Sequence, residues 1–196
     1  MGITTEVARL CCELHFNSLS KEVVDRTKYL LLDYLGVAIR GTKSDSSRPV
    51  YHYLEAMHVR TTGVHVPATS LVVDAPSAAL ALGVSSHSLE LEDVVNEASL
   101  HPAVSVISAA LAYGSMNASS GEDIITAIVA GYEIMVRLGI ALDPAEHYRR
   151  GFHPTATCGV FGATAAVSKL ARLDTHQTAH ALGIAGSQAA GSMEFL

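Results

Sequence analysis

The sequence has few positively charged residues and no place where they cluster. Lys and Arg together number 13 against 19 Asp and Glu, which gives a formal net charge of −6 over 196 residues. A protein that binds nucleic acid needs a positive footprint to neutralise phosphates, so this charge balance excludes nucleic acid as an expected partner.

Cysteines are also scarce, and their spacing argues against a disulfide framework. Cys11 and Cys12 are adjacent and Cys158 is distant, so the three form an odd, poorly spaced set that is typical of a reducing compartment. The N-terminal residues lack a charged leader followed by an apolar run, which predicts no secretory signal. The expected location is the cytoplasm, with mitochondria as the alternative.

No apolar run is both long and free of charge. The most apolar segment, Ile124–Leu142, contains Glu133 and Arg137, so we expect it to be too interrupted to span a bilayer and expect no membrane partner. Hydrophobic residues make up 49% of the chain and charged residues 16%. That composition is sufficient for one substantial core.

Extended segments are nearly absent, and only Thr61–Val73 is β-like, with Pro67 confining its first piece to a sheet edge. Elsewhere, apolar residues recur at helical spacing between capping residues and stop signals. The predicted capping residues include Ser20, Asp74, Ser120 and Asp174. The predicted helices are Thr4–Phe16, Lys21–Ile39, Ser47–His58, Asp74–Leu89, Pro102–Tyr113, one that follows Ser120 and includes Ile124–Leu142, Thr155–Leu170, and one that follows Asp174 and runs towards Ala190. The predicted fold class is all-α, a multi-helix bundle.

Two of these helices are poor in bulky side chains. Thr155–Ala166 and Ala179–Gly191 consist almost entirely of Ala, Gly, Ser and Thr, and small residues let helix backbones approach closely. Because such helices bury little area each, we expect both in the middle of the bundle, surrounded on all sides. The chain ends at Met193–Leu196 without a terminating turn, which we interpret as a domain cut short.

The stretch Gly151–Gly162 brings an imidazole, two hydroxyls and a thiol close together. His153 precedes Pro154, which suits the first turn of a helix, and free N–H groups at a helix start favour a bound carboxylate. His153 is therefore either a site residue or only the cap of the turn. Cys158 is either a nucleophile beside His153 or a small core side chain.

A second group lies between His87 and Pro102. It holds four carboxylates and two imidazoles, including Glu90, Asp93 and His101. Three interpretations stay open: a metal site, a solvated acidic helix end, or an acid–base pocket in which a carboxylate orients His101.

At these residues the sequence resembles the MmgE/PrpD family. The matching segments occur in family order and cover nearly the whole chain: Asp33–Ala38, His87–Asp93, Leu100–Pro102, Gly131–Glu133, Gly151–Gly159 and Ala181–Ala189. The resemblance implies that residues 1–196 form the helical N-terminal domain, which dimerises, and that a smaller α/β lid domain is encoded further along. It also implies a lyase that acts on small tricarboxylates without a metal or other cofactor.

The same resemblance implies roles for four residues. His101 and His153 are expected as the catalytic imidazoles, and Glu90 and Asp93 as substrate-binding carboxylates, with Glu90 where the family usually has Asp. The chain departs from the family pattern at Val94, where a threonine is usual. A Lys and a later His and Tyr that complete the family's pocket would fall beyond Leu196.

These features give two hypotheses. In the first, His101 and His153 face each other across a pocket and Glu90 or Asp93 orients one ring. A base removes, or an acid delivers, a proton at carbon during dehydration of an alkylcitrate or decarboxylation of cis-aconitate. Which imidazole is the base is left open. In the second, the chain is a truncated, inactive helical domain that pairs with itself or with a longer relative. Arg149 and Arg150 are the cations nearest in sequence for a polycarboxylate.

Overall fold

The computed structural model describes residues 2–57 and 59–193 and confirms the all-α prediction. A two-stranded antiparallel sheet pairs β1 (Val64–His65) with β2 (Val72–Val73) in the predicted β-like interval. The helices in the described residues are α1 (Ile3–Glu13), α2 (Lys21–Gly41), α3 (Arg48–Met57), α4 (Ala75–His87), α5 (Ala103–Met116), α6 (Gly121–Ala141), α7 (Pro144–Arg149), α8 (Pro154–Leu170) and α9 (Thr175–Gln188).

The capping residues predicted from the sequence are confirmed. Each cap side chain accepts a hydrogen bond from the backbone N–H three residues later, which satisfies a group that the helix leaves without a partner. These caps are Ser20 on α2, Asp74 on α4, Ser120 on α6 and Asp174 on α9. The starts of four helices therefore follow from local sequence.

Helix ends were predicted less well. The first helix ends at Glu13 instead of Phe16, because Leu14 is extended and a 3-10 turn occupies Phe16–Ser18. Helix α4 ends at His87 and not Leu89. The predicted end of the third helix, His58, lies outside the described residues, as does Glu194–Leu196, most of the segment interpreted as a cut end.

Helix α7 was not predicted, since Asp143–Arg150 reads as a charged, broken segment. Asp143 caps it by accepting from the Glu146 N–H, and Pro144 occupies the first turn. Glu146 then pairs with Arg149 and Arg150 at 2.6 and 2.7 Å. Local charge pairing thus stabilises one short helix where charge density suggested a loop.

Helices α5, α6 and α8 meet at the centre of the core. A Cβ added to Gly162 of α8 would lie 3.2 Å from the backbone oxygen of Gly131 in α6 and 2.8 Å from Val106 in α5. These small residues therefore allow the close approach expected of α8. The same expectation was wrong for α9, because Leu182 and Ala185 are buried while Ile184 is 67% exposed.

Helix α6 is the longest apolar helix in the described residues. By length and composition it could cross a membrane, contrary to the expectation that Glu133 and Arg137 interrupt it too much. The core helix of a soluble protein meets the same criterion, and 50% of the most apolar window of α6 is buried within the protein.

Candidate active site

A cleft of about 500 Å³ lies between α4, α5 and α8. We call it the α4–α5–α8 cleft. Small aliphatic residues form most of its wall, and His87 and His153 are its ionisable lining residues. The described residues that line it include no Lys or Arg. The cleft thus joins an apolar wall to a pair of imidazoles.

His101 lies in the turn-rich segment between α4 and α5, and two hydrogen bonds fix it. Its backbone N–H donates to Thr155 Oγ1 at 3.0 Å, and its ring Nδ1 lies 2.9 Å from the backbone oxygen of Asp93. A carbonyl oxygen only accepts hydrogen bonds, so Nδ1 carries the proton. In the neutral ring, the lone pair of His101 is consequently on Nε2.

His153 has the opposite arrangement. It is the N-cap of α8, and its Nδ1 accepts a hydrogen bond from the Thr155 N–H at 3.1 Å. The neutral ring therefore carries its proton on Nε2, which lies 3.4 Å from the hydroxyl of Tyr148. Burial lowers the pKa of His153 below its usual value, and the nearby charges of His87 and His101 lower it further.

Thr155 connects these two histidines. Its side-chain oxygen accepts from the backbone of His101, and its backbone N–H donates to the ring of His153. Thr155 is buried, so water does not compete easily for either bond. Thr155 therefore joins the segment of His101 to the start of α8, which His153 caps.

Glu92 was not identified as a site residue from the sequence. Its side chain is 0% exposed and lies beside His87 and His101. Its Oε1 contacts His87 Nδ1 and lies 3.6 Å from His101 Nδ1. The rings of His87 and His101 are 5.5 Å apart. Glu92 Oε2 is buried and has no hydrogen-bond partner among the described residues.

The two predicted substrate-binding carboxylates occupy different environments. Asp93 accepts from the Ala103 N–H at 3.1 Å and from the Tyr132 hydroxyl at 3.0 Å, and burial raises its pKa. Glu90 is exposed, has a positive φ of 52°, and lies 3.9 Å from His87 Nε2. Asp93 thus holds the start of α5, whereas Glu90 is open to a ligand; substrate binding by either stays a prediction.

The other sequence-based candidates fall outside this arrangement. Cys158 is buried in the core, and burial raises its pKa to about 11, which favours the small core side chain over the nucleophile. Arg149 and Arg150 are exposed and both pair with Glu146. Neither arginine is among the residues that line the cleft.

Sequence reasoning missed Thr155, Tyr148 and Glu92 as parts of the site. Thr155 lies in the Gly151–Gly162 stretch, but the hydrogen bond that makes it part of the site joins it to His101, 54 residues away in the chain. Tyr148 is positioned by α7, which was not predicted. Glu92 belongs to an acidic run in which spacing alone does not reveal the buried member.

Comparison with known proteins agrees with the resemblance seen in the motifs. Residues 5–196 match the model of the MmgE/PrpD N-terminal domain. The chain is 29% identical over 203 residues to a cis-aconitate decarboxylase of Aspergillus terreus, with 98% of this chain and 40% of that protein covered.

Two mammalian proteins are similar to the same extent. Identity is 28% over 192 residues to cis-aconitate decarboxylase of Mus musculus, covering 96% of this chain and 39% of the relative. It is 29% over 196 residues to that of Homo sapiens, covering 98% and 40%. The chain spans about two fifths of the length of these relatives. It belongs to the MmgE/PrpD family, whose N-terminal domain it matches over almost its entire length.

Proposed function

We propose that this chain carries acid–base groups of a lyase that acts on small tricarboxylates, by decarboxylation of cis-aconitate or dehydration of an alkylcitrate such as 2-methylcitrate. The observation that carries the proposal is the Thr155 connection, which joins the backbone of His101 to the start of α8, where His153 lines the cleft. Relatives named as cis-aconitate decarboxylases support the substrate class.

The hydrogen bonds give the two imidazoles different roles. His101 presents its Nε2 lone pair because Nδ1 donates to a carbonyl, so it is the base or, once protonated, the acid that exchanges a proton with substrate carbon. His153 presents an Nε2–H because Nδ1 accepts from the helix backbone. It donates a hydrogen bond to a carboxylate or to the departing oxygen while staying neutral, as a helix-capping imidazole can.

In dehydration, the proton on the carbon beside a carboxylate moves to His101 Nε2 and the C–O bond of the neighbouring carbon breaks; the departing hydroxide, held by the His153 Nε2–H, takes a proton from solvent and leaves as water. In decarboxylation, the C–C bond to the departing carboxylate breaks and carbon dioxide leaves. His101, protonated from solvent beforehand, then donates its Nε2 proton to the carbanion that remains. In both reactions, Glu90 is the exposed carboxylate beside His87 and faces the ligand, whereas Asp93 acts by accepting from the backbone N–H at the start of α5.

The test is turnover of cis-aconitate and 2-methylcitrate by the purified chain, followed by absorbance. We expect His101→Asn and His153→Asn each to lower the rate by a factor of about 10² or more, with helical circular dichroism unchanged. The matched control is His65→Asn, which changes an exposed histidine on β1. Near-normal rates in either cleft variant would refute the assignment.

A second candidate function is a helical dimerisation domain without catalysis of its own. One face of α2 favours it, because Tyr29, Leu32 and Ile39 recur at helical spacing and are 67%, 69% and 44% exposed. A homodimer would cover this face. Sizing chromatography with light scattering, run on the same preparation, distinguishes the two: a dimer that lacks turnover of both acids supports the second function.

A further inference from the structure

Two histidines on the exposed side of α9 lie close enough to hold one metal ion between them. His176 and His180 are four residues apart and both are exposed, so their side chains are neighbours on one face of the helix. Their Nε2 atoms are 3.1 Å apart and their ring centroids 4.3 Å apart. We call these two residues the α9 histidine pair.

The backbone that carries the pair is fixed by contacts that do not involve the two imidazoles. Asp174 and Gln177 form a capping box at the start of α9. On the other side of the helix, Thr178 and Leu182 are buried, and the Thr178 hydroxyl lies 3.4 Å from Cys12 Sγ. Binding an ion therefore requires only two side chains to be held in place, which keeps the entropy cost of binding small.

The distance between the two nitrogens indicates which ions fit. Two metal–nitrogen bonds of about 2.1 Å place the nitrogens about 3.0 Å apart when they meet at a right angle, and about 3.4 Å apart at the tetrahedral angle. The observed 3.1 Å is closer to the right angle, which square-planar and octahedral ions such as Cu²⁺ and Ni²⁺ adopt. Imidazole nitrogen is also a ligand that suits both ions.

We infer that the α9 histidine pair binds one divalent ion of the Ni²⁺ and Cu²⁺ class through its two Nε2 atoms, with water in the remaining coordination positions. In the bound state each ring keeps its proton on Nδ1 and presents the lone pair of Nε2. Within the part of the chain that the structure describes, no carboxylate or thiol forms a three-ligand group with these histidines. The protein thus supplies two ligands to this ion.

The pair lies away from the α4–α5–α8 cleft. Helix α8 begins just after His153 and ends at Leu170, and α9 begins at Thr175. The first turns of α9 are therefore near the end of α8 that is opposite to His153. Neither histidine of the pair is among the residues that line the cleft, so the ion takes no part in the proposed reaction.

The ion would stabilise α9, because it links the first turn of the helix to the second. Helix α9 leads to Gly191, which lines the cleft and whose backbone oxygen accepts from the His153 N–H at 2.8 Å. An ion that binds the folded chain more tightly than the unfolded chain raises stability as its concentration rises. A metal site at one end of α9 would thereby support the wall of the cleft at the other end.

Calorimetric titration with Ni²⁺ tests the inference. Ni²⁺ is the probe because Cu²⁺ oxidises thiols and the cysteines of the chain are free. We expect the parent chain to bind one equivalent that His176→Ala and His180→Ala each bind at least tenfold more weakly, because each variant keeps one of the two ligands. Both positions are exposed and alanine favours helix, so the variants should fold, which circular dichroism checks.

The matched control is His52→Ala on α3, which removes an exposed helical histidine that has no second histidine four residues away. It should leave the titration unchanged. In thermal unfolding, Ni²⁺ should raise the melting temperature of the parent and of the control more than that of either α9 variant. No binding by the parent, or equally tight binding by both α9 variants, would overturn the inference. Neither measurement involves turnover, so the acid–base roles of His101 and His153 are tested separately.

Discussion

Replacing Thr155 by valine removes one hydroxyl from the path that connects the two catalytic candidates. The backbone N–H of His101 donates to Thr155 Oγ1 at 3.0 Å, and Thr155 is 7% exposed. Valine has nearly the same shape as threonine, so it fills the same space and adds no cavity. The change therefore isolates a single half-buried hydrogen bond.

The expected loss of unfolding free energy comes from the His101 N–H, which loses its hydrogen-bond acceptor. The His101 N–H would stay in a half-buried position without its acceptor, and a fully buried donor left without an acceptor costs about 1–3 kcal/mol of unfolding free energy. For a chain of this length, each kcal/mol lowers the melting temperature by about 2–4 °C. A central value of about 2 kcal/mol thus corresponds to a decrease of about 4–8 °C.

Urea denaturation followed by circular dichroism measures this change. Thr155→Ser is the matched control because it keeps the hydroxyl and loses only a methyl group, so we expect it to lie closer to the parent chain than Thr155→Val does. A valine variant as stable as the parent, or less destabilised than the serine variant, would mean that the hydroxyl does not hold the His101 segment. The connection proposed for the site would then be lost.

Two further predictions concern packing and pH. Gly162→Ala should destabilise the chain by about 1–3 kcal/mol, because the added Cβ would lie 2.8 Å from Val106 Cγ2. The control is Gly36→Ala in the interior of α2, where an added Cβ has no atom within 4 Å. This change should stabilise the chain by up to about 1 kcal/mol. Equal effects in urea denaturation would refute the close helix approach. Because the pKa of His153 is lowered from 6.5, the unfolded chain binds more protons between the two pKa values, so stability should fall as pH decreases below about 6.5. His153→Asn should weaken this dependence, and an unaltered pH profile of stability would count against the shift.

Local rules accounted for much of the fold. Ser20, Asp74, Ser120 and Asp174 cap helices because each needs only its own short segment to form its hydrogen bond. The same locality explains an error, since the helix after Asp143 depends on charge pairing that composition alone did not separate from a loop. Helix starts that depend only on neighbouring residues were thus predictable where a capping residue was the main local feature.

The sequence indicated the two imidazoles that Thr155 connects, whose catalytic roles stay predictions, but not the carboxylate that is buried beside His87 and His101. His101 and His153 were identified by motif, and the structure connects them through Thr155. Among the acidic residues, the backbone turns at positive φ on Glu90, and the side chain that becomes buried is that of Glu92. Spacing does not encode which member of an acidic run turns inward, because that choice depends on helices packed from elsewhere in the chain.

The start of α8 couples the fold to the chemistry proposed for His153. Protonating Nδ1 would set an N–H against the Thr155 N–H and break the cap, and positive charge is unfavourable at a helix N-terminus. Both effects favour the neutral ring, in the same direction as the lowered pKa of His153. Asparagine is a good N-cap residue and carries no imidazole. His153→Asn therefore separates the two roles: it should retain the helix start and lose only the Nε2–H donor, so a loss of turnover in this variant would be chemical and not structural.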